Sequence, residues 1–357
     1  MHGDPIMEWL LLSLTLALAA ANGSNDVSKG IATLVGSGVT DLRRAVLWGS
    51  LWTVLGGIAA AYLSTELIAT FSGKGLLAAT IGGPEFLAAV GIGASGWVAV
   101  ATRTGLPVST THALVGALTG VGLWAAGFDG IHWGAMGKKV VLSLLLGPLI
   151  SLILLYLLAP LLSRLSQYLN RRSITLRSGT HLASMLGVLQ AVSSRESRSD
   201  TTLNALDAMH WLSAGLASFA RGMNDTPKVL ALGFTAALTL GLTPLNGFIV
   251  AAIAMGLGSI TMGLRVTHTL ATKVTPLSPA EGFGANLVTA LLVGCASNFG
   301  LPVSTTHVSS GAILAAGIRR DAHAVQWNTV GEMLLAWVVT LPCAATFAAV
   351  AYAVITH

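Results

Sequence analysis

Apolar residues run along this chain in long blocks, near 6–40, 45–63, 76–102, 108–126 and 140–162. After a polar stretch they resume near 206–240, 246–262, 280–296, 303–318 and 327–354. A block of roughly 20 apolar residues can span hydrocarbon as one helix, where each backbone N–H and C=O is paired within its own segment. The blocks 6–40 and 206–240 are too long for one straight span, so each is predicted to break or re-enter near its middle. The blocks 108–126 and 303–318 each follow Gly-Leu-Pro, which stops one helix and starts another. The pattern predicts an all-α polytopic membrane protein with broken or re-entrant helices and about 10–12 membrane segments.

Composition agrees with that reading. The 357 residues are 54% hydrophobic and only 9% charged, whereas a soluble domain carries roughly a quarter charged residues to solvate its surface. The 41 glycines suit close packing of helices in lipid. Cys295 and Cys343 lie in apolar stretches and give no disulfide framework. Leu10–Ala21 resembles a signal-peptide core. However, no Lys or Arg precedes it and cleavage would fall beside a polar motif, so it is expected to be a retained first span.

The sequence is duplicated. Gly105-Leu-Pro-Val-Ser-Thr-Thr-His112 returns unchanged at Gly300–His307, and Ala21-Asn-Gly-Ser-Asn-Asp26 is echoed by Ala220-Arg-Gly-Met-Asn-Asp225. The order of the two motifs is the same each time. This predicts a first transmembrane repeat at 1–162, a basic loop at 163–205 and a second repeat at 206–357.

The net charge of +5 is carried largely by that loop, where Arg164, Arg171, Arg172, Arg177, Arg195 and Arg198 face only Glu196 and Asp200. A basic loop between spans is the positive-inside signal rather than a nucleic-acid footprint. It places 163–205 on the cytoplasmic side of the plasma (cell inner) membrane, among anionic headgroups of the lipid bilayer. With five net crossings per half, Arg43, Arg44, Arg103, Arg265, Lys273, Arg319 and Arg320 fall on the same side, and Lys74, Lys138 and Lys139 opposite. An odd number of crossings makes the two repeats inverted in orientation.

Asp26 and Asp225 are the costliest residues in such surroundings, since a carboxylate in the bilayer needs a partner. With Asn25, Asn224 and the carbonyls of a broken backbone they would make an oxygen-rich cation site, with sodium a candidate ion. Each Asp is followed three residues later by a lysine, Lys29 or Lys228, so a plain helical ion pair is the competing reading. Ser109, Thr110, Thr111, Ser304, Thr305 and Thr306 supply the complement. Hydroxyls and free N–H groups at a helix start suit a tetrahedral oxyanion, although they also serve as ordinary caps. Lys29, Lys228 and Arg221 are candidates for balancing charge or contacting the anion. His112 and His307 read as packed side chains bonded to a carbonyl, and Glu85 and Glu281 as lesser buried-acid candidates.

With these motifs the chain is similar to the inorganic phosphate transporter (PiT) family. The resemblance rests on Gly23-Ser-Asn-Asp26, Gly222-Met-Asn-Asp225, the two Pro-Val-Ser-Thr-Thr-His segments and the central loop, and it covers nearly the whole chain. It implies import of inorganic phosphate coupled to sodium or protons by alternating access. Cations would sit at Asn25, Asp26, Asn224 and Asp225, phosphate at Ser109–Thr111 and Ser304–Thr306, in a homodimer with no cofactor. Family members often follow Gly-Ala-Asn-Asp with small residues and another Asn. Here Val27-Ser28-Lys29 and Thr226-Pro227-Lys228 follow, and an ammonium beside a carboxylate can replace a bound cation.

The nearest rival function is a permease for sulfate or another tetrahedral oxyanion, and a passive channel is a further one. An enzyme is disfavoured, because no nucleophile elbow, His-Glu-x-x-His or P-loop is present.

Overall fold

The computed structural model describes residues 4–78, 82–171 and 205–357. Most of the basic loop, including Arg172, Arg177, Arg195, Arg198, Glu196 and Asp200, lies outside the described residues. The described elements are helical, apart from two isolated bridges. In chain order they are α1 (Pro5–Asp26), α2 (Ser28–Gly36), α3 (Leu42–Leu63), α4 (Glu66–Phe71), α5 (Pro84–Thr104), α6 (Thr110–Ala126) and α7 (Leu142–Arg171). There follow α8 (Ala205–Leu230), α9 (Phe234–Thr239), α10 (Pro244–Met262), α11 (Leu264–Thr272), α12 (Pro279–Asn298), α13 (Thr305–Asp321) and α14 (Trp327–Thr356).

Local signals explain many of these boundaries. Asp4, Asp41, Ser109, Thr243, Ser278 and Ser304 each occupy an N-cap and accept from a first-turn N–H, which satisfies donors a helix cannot pair itself. Prolines open α1, α5, α10 and α12, where a missing N–H costs nothing. α5 and α12 are followed by Gly105 (φ 80°) and Gly300 (φ 65°) in left-handed conformations that side chains resist. The expected stop and restart at Gly-Leu-Pro is therefore present in both places.

Among the described residues, seven helical stretches are long and apolar enough to cross a bilayer, within 5–36, 42–63, 84–104, 133–169, 244–262, 279–298 and 327–356. Three further helices come close to that description. α6 and α13 have 17 residues each, and α8 carries Asp207, Arg221, Asp225 and Lys228. The chain is an integral membrane protein, with its outer helices turned inside out relative to a soluble fold. Leu145, Leu149, Ile153, Leu157 and Leu161 form an exposed stripe on α7, with Leu157 68% exposed. Leu334, Val338 and Val354 extend the apolar exterior on α14. Lipid, not water, is the partner for such a surface.

Packing follows the duplication. α1 lies against α10, and α8 lies against α3. α6 packs on α14, and α13 packs on α7. Each contact of the first kind is closed by a glycine. A Cβ on Gly23 would lie 1.9 Å from Met255 O, and one on Gly222 would lie 2.1 Å from Thr53 O, so only glycine permits these crossings. On the α3–α8 side Trp48 and Trp211 meet edge to face with centroids 5.5 Å apart, and Trp48 Nε1 donates to Trp211 O at 2.9 Å.

Two expectations change. The first long block does break beside its motif, because α1 ends at Asp26 and α2 begins at Ser28. In the second block the motif sits inside an unbroken α8, which carries Pro227 and turns only at 231–233. A proline near the end of a helix already held by close packing bends or loosens it without stopping it. In the block expected from residue 76, α5 starts at Pro84, after Gly83 at φ 104°, and residues 76–78 are not helical.

Candidate functional site

The crossings of α1 with α10 and α8 with α3 bring the two Asn-Asp motifs together, facing the starts of α6 and α13. Asn25, Asp26, Lys29, Arg221, Asn224, Asp225 and Lys228 are all buried, as are Ser109–Thr111 and Ser304–Thr306. One cluster thus gathers the residues singled out from sequence.

Asp26 lies 3.0 Å from the Lys29 ammonium. Its second oxygen, Oδ2, accepts from Asn22 Nδ2 at 2.9 Å and from Thr110 Oγ1 at 3.2 Å. Asn25 donates through Nδ2 to Thr102 Oγ1 and to Leu106 O. Lys29 Nζ donates to Asn25 O at 2.8 Å and to Asn25 Oδ1 at 2.9 Å. In the second motif, Asp225 Oδ1 accepts from Asn224 Nδ2 at 2.7 Å and lies 3.3 Å from Lys228 Nζ. Lys228 also donates to Val303 O at 2.7 Å and to Thr111 Oγ1 at 3.0 Å. Asn224 Nδ2 reaches Val303 O and Thr305 Oγ1, and Asn224 Oδ1 accepts from Ser297 Oγ.

The exposed carbonyls of the cluster differ from those expected. They come from the Gly-Leu-Pro-Val loops, through Leu106, Val108 and Val303, more than from breaks in the motif helices. The reason is local: a loop that cannot be helical leaves its C=O groups unpaired, whereas α8 pairs its own. Each ammonium pairs with its Asp, as the ion-pair reading expects, and also contacts two other protein oxygens.

The six hydroxyls divide into three kinds. Ser109 and Ser304 cap α6 and α13, accepting from the N–H of His112 and His307. Thr110 and Thr305 face Asp26 and Asn224. Thr111 and Thr306 cross over, Thr111 Oγ1 donating to Val303 O and Thr306 Oγ1 to Val108 O at 2.8 Å.

Arg221 is the largest fully buried side chain. Its guanidinium donates to Asn22 Oδ1 at 3.3 Å and to Thr53 Oγ1 at 2.6 Å, while Nε has no hydrogen-bond partner. Among the described residues no carboxylate lies within ion-pair distance of it. Asn22, at the position equivalent to Arg221 in the first motif, also contacts Asp26, Thr110 and Asp225. Its place in the repeated motif could have flagged it. Thr53 had no such signal beyond being polar within an apolar helix.

Both histidines are packed side chains, but only His307 has the expected carbonyl partner, and His112 Nδ1 has no hydrogen-bond partner. Their rings lie 4.4 Å apart, His307 Nδ1 contacts Leu144 O at 3.2 Å, and His307 stacks on Trp337 at 3.8 Å. Glu85 is exposed, and Glu281 completes a capping box with Ser278 and lies 3.6 Å from Arg320. Neither is a buried acid, because carboxylates in a first helical turn are held there by free N–H groups.

Comparison with known proteins decides the family. The sequence profile described as "Phosphate transporter family" matches residues 22–348. The chain belongs to the phosphate transporter family. Members and relatives are transporters, not enzymes. Among curated relatives of this phosphate transporter family chain is a "Probable low-affinity inorganic phosphate transporter" of Rhizobium meliloti. It is 30% identical over 352 residues, covering 96% of this chain and 94% of the relative. A "Putative phosphate permease" of Pyrococcus abyssi is 28% identical and covers 99% of both chains. A solved structure titled "The sodium-dependent phosphate transporter" superposes with a TM-score of 0.80, covering 98% of this chain and 99% of that one at 24% identity. At that identity the likeness establishes the fold.

Proposed function

We propose that this chain is a secondary active transporter that imports inorganic phosphate, driven by a sodium or proton gradient. The observation that carries the reading is the charge of the buried cluster. Among the described residues, Lys29, Lys228 and Arg221 share the buried cluster with two carboxylates, Asp26 and Asp225. A surplus cation in a site shielded from water calls for an anion, and a guanidinium matches an oxyanion with paired donors. Phosphate is favoured over sulfate by the family and its relatives. Protonated phosphate can also donate to a nearby carboxylate, whereas sulfate cannot.

In this reading Thr110, Thr111, Thr305 and Thr306, with the starts of α6 and α13 that Ser109 and Ser304 cap, receive the anion beside Arg221. The Asn25-Asp26 and Asn224-Asp225 pairs hold positive charge next to it, which lowers the cost of carrying phosphate through a low-dielectric site. Residues 1–162 and 206–357 act as inverted repeats that rock about this centre, exposing it to either side in turn. The basic loop lies on the cytoplasmic face of the cell membrane, and the working unit is a homodimer.

The test is uptake of labelled phosphate into proteoliposomes under separate sodium and proton gradients, with unlabelled sulfate and arsenate as competitors. Accumulation above the external concentration, lost when the driving gradient is dissipated, is expected. Equilibration without accumulation would make it a channel, and stronger competition by sulfate than by arsenate would reassign the anion.

A further inference from the structure

We propose that Lys29 and Lys228 are built-in cations that fill the two oxygen cages beside the anion, so that neither cage takes a free sodium ion. This rests on the transport reading above and specifies its charge carriers. A primary ammonium has three N–H donors. Lys29 Nζ meets three oxygens, Asn25 O at 2.8 Å, Asn25 Oδ1 at 2.9 Å and Asp26 Oδ1 at 3.0 Å. Lys228 Nζ meets Val303 O at 2.7 Å, Thr111 Oγ1 at 3.0 Å and Asp225 Oδ1 at 3.3 Å. Both lysines are only 1% exposed.

The donor set is the one a hard cation selects, a carboxylate with amide, carbonyl or hydroxyl oxygens. The ammonium groups already stand at its centre. A sodium ion at the same oxygens would sit beside a buried like charge, an unfavourable pairing in a low-dielectric site. The two motifs share the spacing, Asp followed by Lys three residues on. Helical geometry within α8 returns Lys228 to Asp225, and the right-handed angles of Val27 between α1 and α2 let Lys29 return to Asp26 in the same way. A charge fixed to the protein also cannot be carried across with the substrate. Such a site neutralises the anion without spending a sodium ion from either cage.

The cages can be emptied and refilled. In Lys29→Ala and Lys228→Ala, a small cation supplied in solution should replace the lost ammonium. Two readouts are needed, phosphate uptake by proteoliposomes and melting temperature of the detergent-solubilised protein. Each is taken in N-methylglucamine, sodium, ammonium or methylammonium chloride at fixed ionic strength. For the unmodified protein, uptake should change less than twofold on replacing sodium, and the melting temperature should not respond to sodium. The variants should lose at least tenfold in uptake and recover part of it with sodium or methylammonium, with a matching rise in melting temperature.

A tenfold fall of unmodified uptake without sodium would overturn the proposal, as would a sodium-dependent rise in its melting temperature. Folded variants that no cation restores or stabilises would overturn it equally. Should a variant fail to fold, the measurements on the unmodified protein still decide. Absence of phosphate uptake under every condition would sink the transport reading instead, while the melting series would continue to report on the cages.

Discussion

The two motif regions share one sequence pattern and differ in how they hold their charge. Around Asp26 the contacts of the lysine are local: Lys29 donates to Asn25 and forms an ion pair with Asp26, both on the helix it follows. Around Asp225 they are distant, for Lys228 reaches Thr111 at the start of α6 and Val303 in the loop before α13. The first region also carries neutral Asn22 where the second carries Arg221, and these two side chains touch. Lys29 stays within its own motif, whereas Lys228 ties its motif to the start of α6 and the loop before α13, and Arg221 adds the surplus charge. The repeated motifs share a backbone pattern, and a few polar differences, such as Asn22 against Arg221, give them different contacts.

The sharpest way to break this comparison is at Arg221. Arg221→Ala should lower initial phosphate uptake by about 100-fold or more, because charge-assisted hydrogen bonds contribute about 1.5–3 kcal/mol each. Asn22→Ala, at the matched position, should cost less. Equal losses in proteoliposome uptake would erase the proposed asymmetry.

A second test concerns the ion pairs. Asp225→Asn leaves the buried Lys228 ammonium without its carboxylate and should destabilise by about 3–5 kcal/mol. Adding Lys228→Met should restore much of that stability, a non-additivity readable by thermal unfolding in detergent. The same cycle at Asp26 and Lys29 should show weaker coupling to the loops, seen as unchanged protease sensitivity near Val303. Strong and equal coupling in both would count against the local-versus-distant distinction.

The smallest effects belong to the caps. Ser109→Ala and Ser304→Ala should each cost about 1 kcal/mol, the usual contribution of an N-cap. A loss of binding affinity far beyond that stability change would assign the serines to the anion itself.

Much of this was legible along the chain. Hydrophobic blocks gave the spans, because lipid leaves few other structures available, and Gly105 and Gly300 marked the interruptions through their sequence neighbours. The repeated Asn-Asp and Ser-Thr-Thr segments pointed to one cluster, and the structure gathers them there. What could not be read depended on contacts between distant elements. Thr53 and the carbonyls of Leu106, Val108 and Val303 enter the cluster only once α3 crosses α8 and the loops face each other. The persistence of α8 through Pro227 was hidden as well, because propensity predicts a stop and tertiary packing overrides it. Glu85 and Glu281 read from sequence as lesser buried-acid candidates, and the structure places each instead in the first turn of a helix.

The crossed threonines have a kinetic meaning. Thr111 holds the carbonyl of Val303, and Thr306 holds that of Val108, so two hydrogen bonds run in opposite senses across one seam. If transport parts the starts of α6 and α13, both hydrogen bonds must be given up before the seam is fully open. Two bonds of opposite sense on one seam would then favour the closed state until both are lost.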